Sequence, residues 1–307
     1  MVQFLLRRIL LLIPLLLGVS LVTFLMIHLV PGDPVVTLMG TAVNGAAGLR
    51  QERHELGLDQ PLPIQYLHYL GNVLHGNLGT SIRSGRPVLV EIGDRLPATL
   101  ELTLAAMAIA IVLGVGTGTL AAATRSRFLS GAVMLLSTLG ISLPTFWLGL
   151  LLIEVFALNF RWFPVLGNTS FNGLVLPAIT LGLPAAAVLA RVTRGSLMDV
   201  LRQDYIRTAR AKGLHRLRVV LRHGLRNGLI VVLTIAGLQF GGLLAGSIIV
   251  ESVFSRPGLG SFVVNAILNS DYPVVQGVVL IFAVVYVVIN TVLDVLYGIV
   301  NPRIRVA

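Results

Sequence analysis

The chain has 307 residues, of which 55% are hydrophobic and 12% charged, and its mean hydropathy is +0.89. Soluble domains carry about a quarter of their residues as Asp, Glu, Lys and Arg, so this chain has too little charge to cover a soluble surface, and lipid must solvate much of it. The absence of cysteine excludes thiol catalysis, disulfide staples and thiolate metal sites, and the net charge of +10 sits where apolar segments end rather than on a domain built to read nucleic acid.

At the N-terminus, Arg7 and Arg8 precede an apolar run that continues through Val30. No small-x-small cleavage site follows, so the run reads as a retained first span rather than a secretion signal. A helix rising about 1.5 Å per residue needs about 20 residues to cross about 30 Å of hydrocarbon. Six segments meet that length: 9–30, 98–123, 131–153, 174–190, 228–250 and 274–297. The fourth is the shortest. Pro177 and Pro184 remove backbone donors within it, which predicts a kink or an extension at one end. The expected fold is an all-α polytopic membrane protein with six transmembrane helices.

Charge sets the orientation. Arg7, Arg8, Arg125, Arg127, the basic stretch 191–226, Arg303 and Arg305 fall on one side of a six-span arrangement. That side and both termini are expected to face the cytoplasm. On the other side Arg50, Arg53, Arg83, Arg86 and Arg95 are balanced by Glu52, Glu55, Asp59, Glu91 and Asp94.

Residues 31–97 form the long loop on that other side and read as an extracytoplasmic cap packed on the bundle. Short helices are expected over 49–56, closed by Gly57, and over 64–74. Pro61, Pro63, Gly71, Gly76 and Gly79 interrupt the region too often for one long element. Leu56, Leu58, Tyr66, Leu67, Tyr69 and Leu70 supply its anchors. The chain thus divides into a first segment and span (1–30), the cap region (31–97) and a core of five spans (98–307).

Within the spans, Gly114 with Gly118, Gly237 with Gly241, and Gly242 with Gly246 are each four apart. Each pair lies on one helix face and allows close approach of a neighbour. Gln239 places an amide well inside the fifth span, where it either bonds another helix or lines a passage with Gly242 and Gly246. Asp294, near the cytoplasmic end of the sixth span, must face protein or an aqueous path, as a structural partner or a gating group.

No enzymatic constellation is present. There is no H-E-x-x-H helix or G-x-S-x-G elbow, and the histidines form no metal cluster. Lys212 is the only lysine, and no glycine-rich phosphate loop precedes it. If ATP drives this protein, another chain must hydrolyse it. No catalytic residue, metal site or resident cofactor is expected.

Between the fourth and fifth spans runs D199-V-L-R-Q-D-Y-I-R-T-A-R-A-K-G213-L214. Ser196 followed by Asp199 fits a helix N-terminal capping signature. Leu201, Tyr205 and Thr208 recur at helical spacing, Ile206 and Ala209 broaden that face, and Arg202, Arg207 and Arg210 make a basic flank. Gly213 is placed to close the helix in a left-handed conformation, and 216–226 continues as an amphipathic lead into the fifth span. Such a helix suits anionic headgroups or a groove in another protein equally.

This loop resembles the ATPase-coupling loop of binding-protein-dependent ABC importer permeases, closest to the dipeptide, oligopeptide and glutathione group, which includes nickel permeases. Arg207, Thr208 and Ala209 match the family's Glu-Ala-Ala-like start and Gly213 its glycine. Arg207 departs from the general acid in the way usual for the peptide group. H223-G-L-R-N227 matches the later part of the peptide-type loop. Four further strings match in order: V30-P-G-D-P34, E251-S-V-F-S-R-P-G-L-G260, D271-Y-P-V-V-Q-G277 and N301-P-R-I-R305.

The resemblance covers nearly the whole chain and is to the first permease subunit of such systems. It implies the type I ABC importer permease fold, with an extracytoplasmic insertion between helices 1 and 2 and a coupling loop at 191–227. Tyr205, Ile206, Arg207, Ala209, Arg210 and Gly213 would belong to a coupling helix held in an ATPase groove. The implied partners are a second homologous permease, two cytoplasmic ATPases carrying ATP and Mg²⁺, and an extracytoplasmic solute-binding protein. The implied location is the bacterial inner membrane, and the favoured substrate is a short peptide, with glutathione close behind. A secondary transporter using Asp294 and a purely structural scaffold are the competing classes.

Overall fold

The computed structural model describes residues 2–29, 54, 58–124, 126–165 and 170–300, with the side chains of 2–11 and 293–300 excepted. Arg50, Arg53, Arg125, Arg303, Arg305 and the helix expected over 49–56, apart from His54, lie outside the described residues, as do the side chains of Arg7, Arg8 and Asp294. Among the described residues every extended element is helical, and the only strand pairing is a bridge between Thr80 and Pro87.

The elements are α1 (Val2–Leu29), α2 (Leu62–Leu74), α3 (Val88–Ala123), α4 (Arg127–Ser142), α5 (Thr145–Leu152), α6 (Phe171–Leu201), α7 (Asp204–Ala211), α8 (Arg226–Val253), α9 (Leu259–Leu268) and α10 (Tyr272–Val300). π-Helical turns extend α5 over Ile153–Asn159 and lead into α8 over Val219–Leu225. By length and composition five helical stretches can cross a membrane, and a bent pair brings the number to as many as six.

That bent pair corrects the third expected span. α4 and α5 meet at 104° instead of forming one rod over 131–153. Pro144 caps α5, and Leu143 before it is extended at φ −78° and ψ 130°. A residue preceding proline is pushed out of the helical region by the pyrrolidine ring, so the break falls there. The fourth span is corrected too. α6 is 31 residues long and the most deeply buried of the spanning helices, extended at both ends of 174–190 rather than one. Both Pro177 and Pro184 lie inside it.

The chain forms two compact units. The first comprises Met1–Pro97 with Gly258–Thr291. In it α2 packs against α1: Tyr66 Oη lies 2.8 Å from Ser20 Oγ, Tyr69 Oη lies 3.1 Å from Thr23 Oγ1, and a His28 ring nitrogen lies 3.1 Å from Gln65 Oε1. The Gln276 amide of α10 donates to the Thr23 carbonyl at 2.6 Å. Buried Asp271, at the head of α10, accepts from the Ser81 hydroxyl at 2.6 Å and from the Ile82 amide at 3.2 Å, pinning the turn before α3.

The second unit comprises Ala98–Pro257 with Val292–Ala307. Its core is drawn from α3, α6 and α8, with Leu102, Ala106, Leu181, Leu189, Val232, Leu243 and Val250 among the buried residues. Small residues decide how closely these helices approach. A Cβ on Gly118 would stand 2.5 Å from the Ala190 carbonyl oxygen, and one on Gly114 would stand 2.6 Å from Leu189 Cβ. Real Cβ atoms do not come that close, so the Gly114–Gly118 face is a packing face.

Candidate functional site

α7 is a two-turn helix whose burial is narrower than its sequence pattern. Ile206 and Ala209 are buried, in a small cluster with Val219, Leu201 and Leu214. Tyr205, Arg207, Thr208 and Arg210 are exposed. The expected face of Leu201, Tyr205 and Thr208, broadened by Ile206 and Ala209, is thus divided: Ile206 and Ala209 point inward, Leu201 packs on them, and Tyr205 and Thr208 are exposed. Spacing of i to i+3 puts Ile206 and Ala209 on one side, and α7 is a separate helix, broken from α6 after Leu201, so the periodicity does not carry through from Leu201.

The expected N-cap fails for the same reason. Ser196 lies inside α6, and its hydroxyl donates to the Gly228 carbonyl at 3.0 Å. α7 instead starts after extended Gln203, which makes no side-chain cap bond. Its C-terminal end follows the sequence reading. Gly213 has φ +77°. The Gly213 amide donates to the Arg210 carbonyl at 3.0 Å and the Leu214 amide to the Ala209 carbonyl at 3.4 Å. This is a Schellman ending, with Leu214 packed back on the buried cluster.

Beside the buried cluster with Val219, a side-chain hydrogen bond ties α7 to the first turn of α8. Asn227 Nδ2 donates to Tyr205 Oη at 2.7 Å, and the Tyr205 hydroxyl points to the His223 carbonyl at 3.5 Å. Val219, Val220 and Gly224 of the π-helical lead-in are buried, whereas Leu217, Arg218, Leu221 and Arg222 are exposed. Arg207 lies 3.5 Å from Asp204 on the same exposed face, a surface pair of little energetic weight. Arg210, like Arg207, is exposed.

The candidate passage residues separate. Gln239 is half-buried in α8. Gly242 is exposed, and a Cβ there would meet nothing within 4 Å. Gly246 faces the protein, where a Cβ would approach Leu181 Cδ1 at 2.9 Å. Only Gln239 and Gly242 therefore remain near open space, and Gly246 packs against α6. Among the described residues no group of three or more His, Asp or Glu is placed to hold a metal ion.

Sequence reasoning missed a buried polar network at the end of α8. Arg256 is fully buried, and its guanidinium donates to Glu101 Oε2 at 2.6 Å. Glu251 is also buried and accepts from the Thr99 hydroxyl at 2.7 Å. Two backbone bonds bend the chain here: the Arg256 amide to the Glu251 carbonyl at 2.9 Å, and the Ser255 amide to the Ser252 carbonyl at 3.3 Å. Ser255 sits in the left-handed region at φ 51°, a position that costs a non-glycine residue about 1–2 kcal/mol. The available signal was an acid and an arginine five apart beside an apolar helix, where ionisable groups are costly and need partners.

Residues 110–306 match the family described as binding-protein-dependent transport system inner membrane component, and residues 1–103 match its N-terminal companion, the binding-protein-dependent transport system membrane component. The chain is 48% identical over 305 residues to the glutathione transport system permease protein GsiC of Salmonella typhimurium (strain LT2), covering 99% of each chain. It is 47% identical, with the same coverage, to the protein of that name from Escherichia coli (strain K12). Among solved structures, the inward-facing MetNI methionine ABC transporter aligns with a TM-score of 0.58 at 19% identity, covering 68% of this chain and 96% of that one. This likeness extends to the fold, that of a type I ABC importer permease. With both family matches and full-length relatives in hand, the chain belongs to the inner membrane component family of binding-protein-dependent transport systems.

Proposed function

We propose that this protein is one membrane half of an ATP-driven importer that takes glutathione and related short peptides from an extracytoplasmic binding protein into the cytoplasm. The observation that carries the reading is near-half identity, across 99% of both chains, to permeases named for glutathione transport. A second homologous permease would complete the passage. Two cytoplasmic ATPases would supply the energy, in keeping with a chain whose only lysine, Lys212, follows no phosphate-binding loop.

In this reading the basic segment 191–227 and both termini are cytoplasmic, and residues 31–97 lie outside. α7 is the element that enters the ATPase groove. Its exposed Arg207 and Arg210 present the contact, while Ile206, Ala209 and the Gly213 turn hold it to the permease. ATP-driven closure of the ATPase pair would move α7, and the Tyr205–Asn227 bond would pass that movement into α8. α8 carries Gln239 and Gly242, the candidates for the passage wall, and Asp294 on α10 is a candidate structural or gating group. Nucleotide and loaded binding protein shift the permease between outward- and inward-open states only because each binds the two states unequally.

The test is uptake of labelled glutathione by vesicles holding this chain, its partner permease, the ATPases and the binding protein. Uptake that requires ATP and is lost with hydrolysis-dead ATPases is expected. Uptake that survives dead ATPases would establish a secondary transporter, and ATP-dependent uptake of dipeptide but not glutathione would move the substrate assignment. Orientation is tested in the same vesicles with Ser126→Cys and Ser84→Cys, which are expected to label from opposite sides.

A further inference from the structure

α2 is short, lies outside the spanning set and buries none of its residues fully. Its three faces nevertheless differ sharply. At about 100° per residue, Gln65, Tyr66, Tyr69, Leu70 and Val73 share one broad side. All five are partly buried, and Gln65, Tyr66 and Tyr69 meet α1. Ile64, Leu67 and Leu74 fall within an arc of about 80° beside it and are 42%, 63% and 78% exposed. His68 and Asn72 occupy the remaining side, also exposed.

The contacts with α1 set the depth of this helix. Tyr66 reaches Ser20 Oγ and donates to the Leu17 carbonyl at 3.2 Å, and Tyr69 reaches Thr23 Oγ1. Phe24 packs its ring against both tyrosines at 5.5 and 5.8 Å between centroids. Thr23 and Ser20 precede Leu29, the last described residue of the apolar span, by six and nine positions. At about 1.5 Å per residue they lie about 9 and 14 Å inside its end. A phenol spans only part of that distance, so the axis of α2 runs beside the span rather than above it. Burial raises the Tyr69 phenol above its ordinary value, as expected for a ring held away from water.

Exposed apolar side chains are found on α1 as well as on α2. On α1, Leu17, Leu21, Val22 and Leu29 are exposed along an apolar helix long enough to cross the membrane. A helix with one apolar arc, one polar arc and a third side fastened to a spanning helix fits the boundary between acyl chains and headgroups. Tyrosines belong at that level as well, because the ring is apolar and the hydroxyl needs a partner.

We infer that α2 lies in the plane of the membrane interface, with Ile64, Leu67 and Leu74 among the acyl chains and His68 and Asn72 at the headgroups. It is then a lipid-anchored brace on α1, not a water-exposed cap. On the orientation argued under the proposed function it occupies the outer leaflet, but the inference itself rests only on α1 being a membrane span.

Single-cysteine variants test this directly, since the native chain has no cysteine. Leu67→Cys, Leu74→Cys, Asn72→Cys and Ser84→Cys are prepared in the full chain, assembled with its partner subunits in lipid vesicles. Each is reacted with a membrane-impermeant maleimide and, separately, with an environment-sensitive fluorophore. Positions 67 and 74 should react at least about tenfold more slowly than 72 and 84. Their fluorophores should be quenched by lipids spin-labelled high on the acyl chain, and that at 84 should not be. Equal labelling at all four positions without lipid quenching would overturn the inference in favour of an aqueous cap. Protection of 67 and 74 that appears only when the binding protein is added would overturn it in favour of a protein-docking face. If position 84 labels from the cytoplasmic side while 67 and 74 are still lipid-quenched, the orientation fails and the interfacial placement stands.

Discussion

Asn227 Nδ2 donates to the Tyr205 hydroxyl at 2.7 Å, so the first turn of α7 is tied by one side-chain bond to the first turn of α8. Beyond the shared burial of Ile206, Ala209 and Val219, this is the contact through which a displaced α7 would act on α8. Tyr205→Phe removes the hydroxyl and keeps the ring. A single hydrogen bond is worth about 0.5–1.5 kcal/mol, or about a 2- to 10-fold change in an equilibrium. ATP-driven uptake in vesicles should fall by that order while complex yield and basal ATP hydrolysis hold. Unchanged uptake would remove Tyr205 from the coupling route.

The Gly213 turn makes a separate prediction. At φ +77° a β-carbon is strained, and Gly213→Ala should cost about 1 kcal/mol locally. Gly213→Pro should cost more, because it cannot adopt that φ and loses the amide that bonds the Arg210 carbonyl. Both should reduce crosslinking to the ATPase from a cysteine at Arg210, the proline variant more. Position 206 is unsuited to that crosslink because Ile206 is buried within the permease. Normal crosslinking and uptake in an assembled Gly213→Pro complex would reject α7 as the coupling element.

Arg256 should matter for assembly rather than for substrate choice. It is fully buried against Glu101, whose side chain is 47% exposed. Arg256→Ala leaves a void at a fully buried position, and Glu101→Ala removes one charged partner of a buried guanidinium. Glu101→Ala should cost about 1.5–3 kcal/mol, the worth of a hydrogen bond to a charged group. Thermal melting of the solubilised complex should show Glu101→Ala lowered. A double variant, Glu101→Leu with Arg256→Met, should recover part of the loss. Equal melting of Glu101→Ala and native protein would show that the pair is dispensable.

Glycines four apart should divide into two classes. Gly118→Ala places a methyl 2.5 Å from the Ala190 carbonyl oxygen, so α3 and α6 must separate, and overpacking of this kind costs about 1–3 kcal/mol. Gly242→Ala meets open space and should assemble normally. If Gly242 borders the passage, Gly242→Leu should then lower uptake at normal complex yield. A drop in yield for Gly242→Leu would instead place it against another subunit.

Much of this was legible in the chain itself, because lipid imposes strong rules. Apolar runs of spanning length, arginines at their ends, a lone lysine without a phosphate loop, and ordered strings such as E251-S-V-F-S-R-P-G-L-G260 were enough to indicate a multi-pass transport protein of this family. The left-handed turn at Gly213 was also readable, since glycine after a helical run has a local cause. Tertiary structure decided what local pattern could not. It broke the third span at Leu143–Pro144, because a proline inside an apolar run can kink a helix or end it, and only the packed neighbours choose. It extended α6 through both of its prolines and turned Ile206 and Ala209, rather than Tyr205, toward the core. It also paired Arg256 with Glu101 across 155 positions of sequence. Periodicity reports which residues share a helix face, but which face is buried, and which distant charge answers a buried one, depends on the helices packed around it.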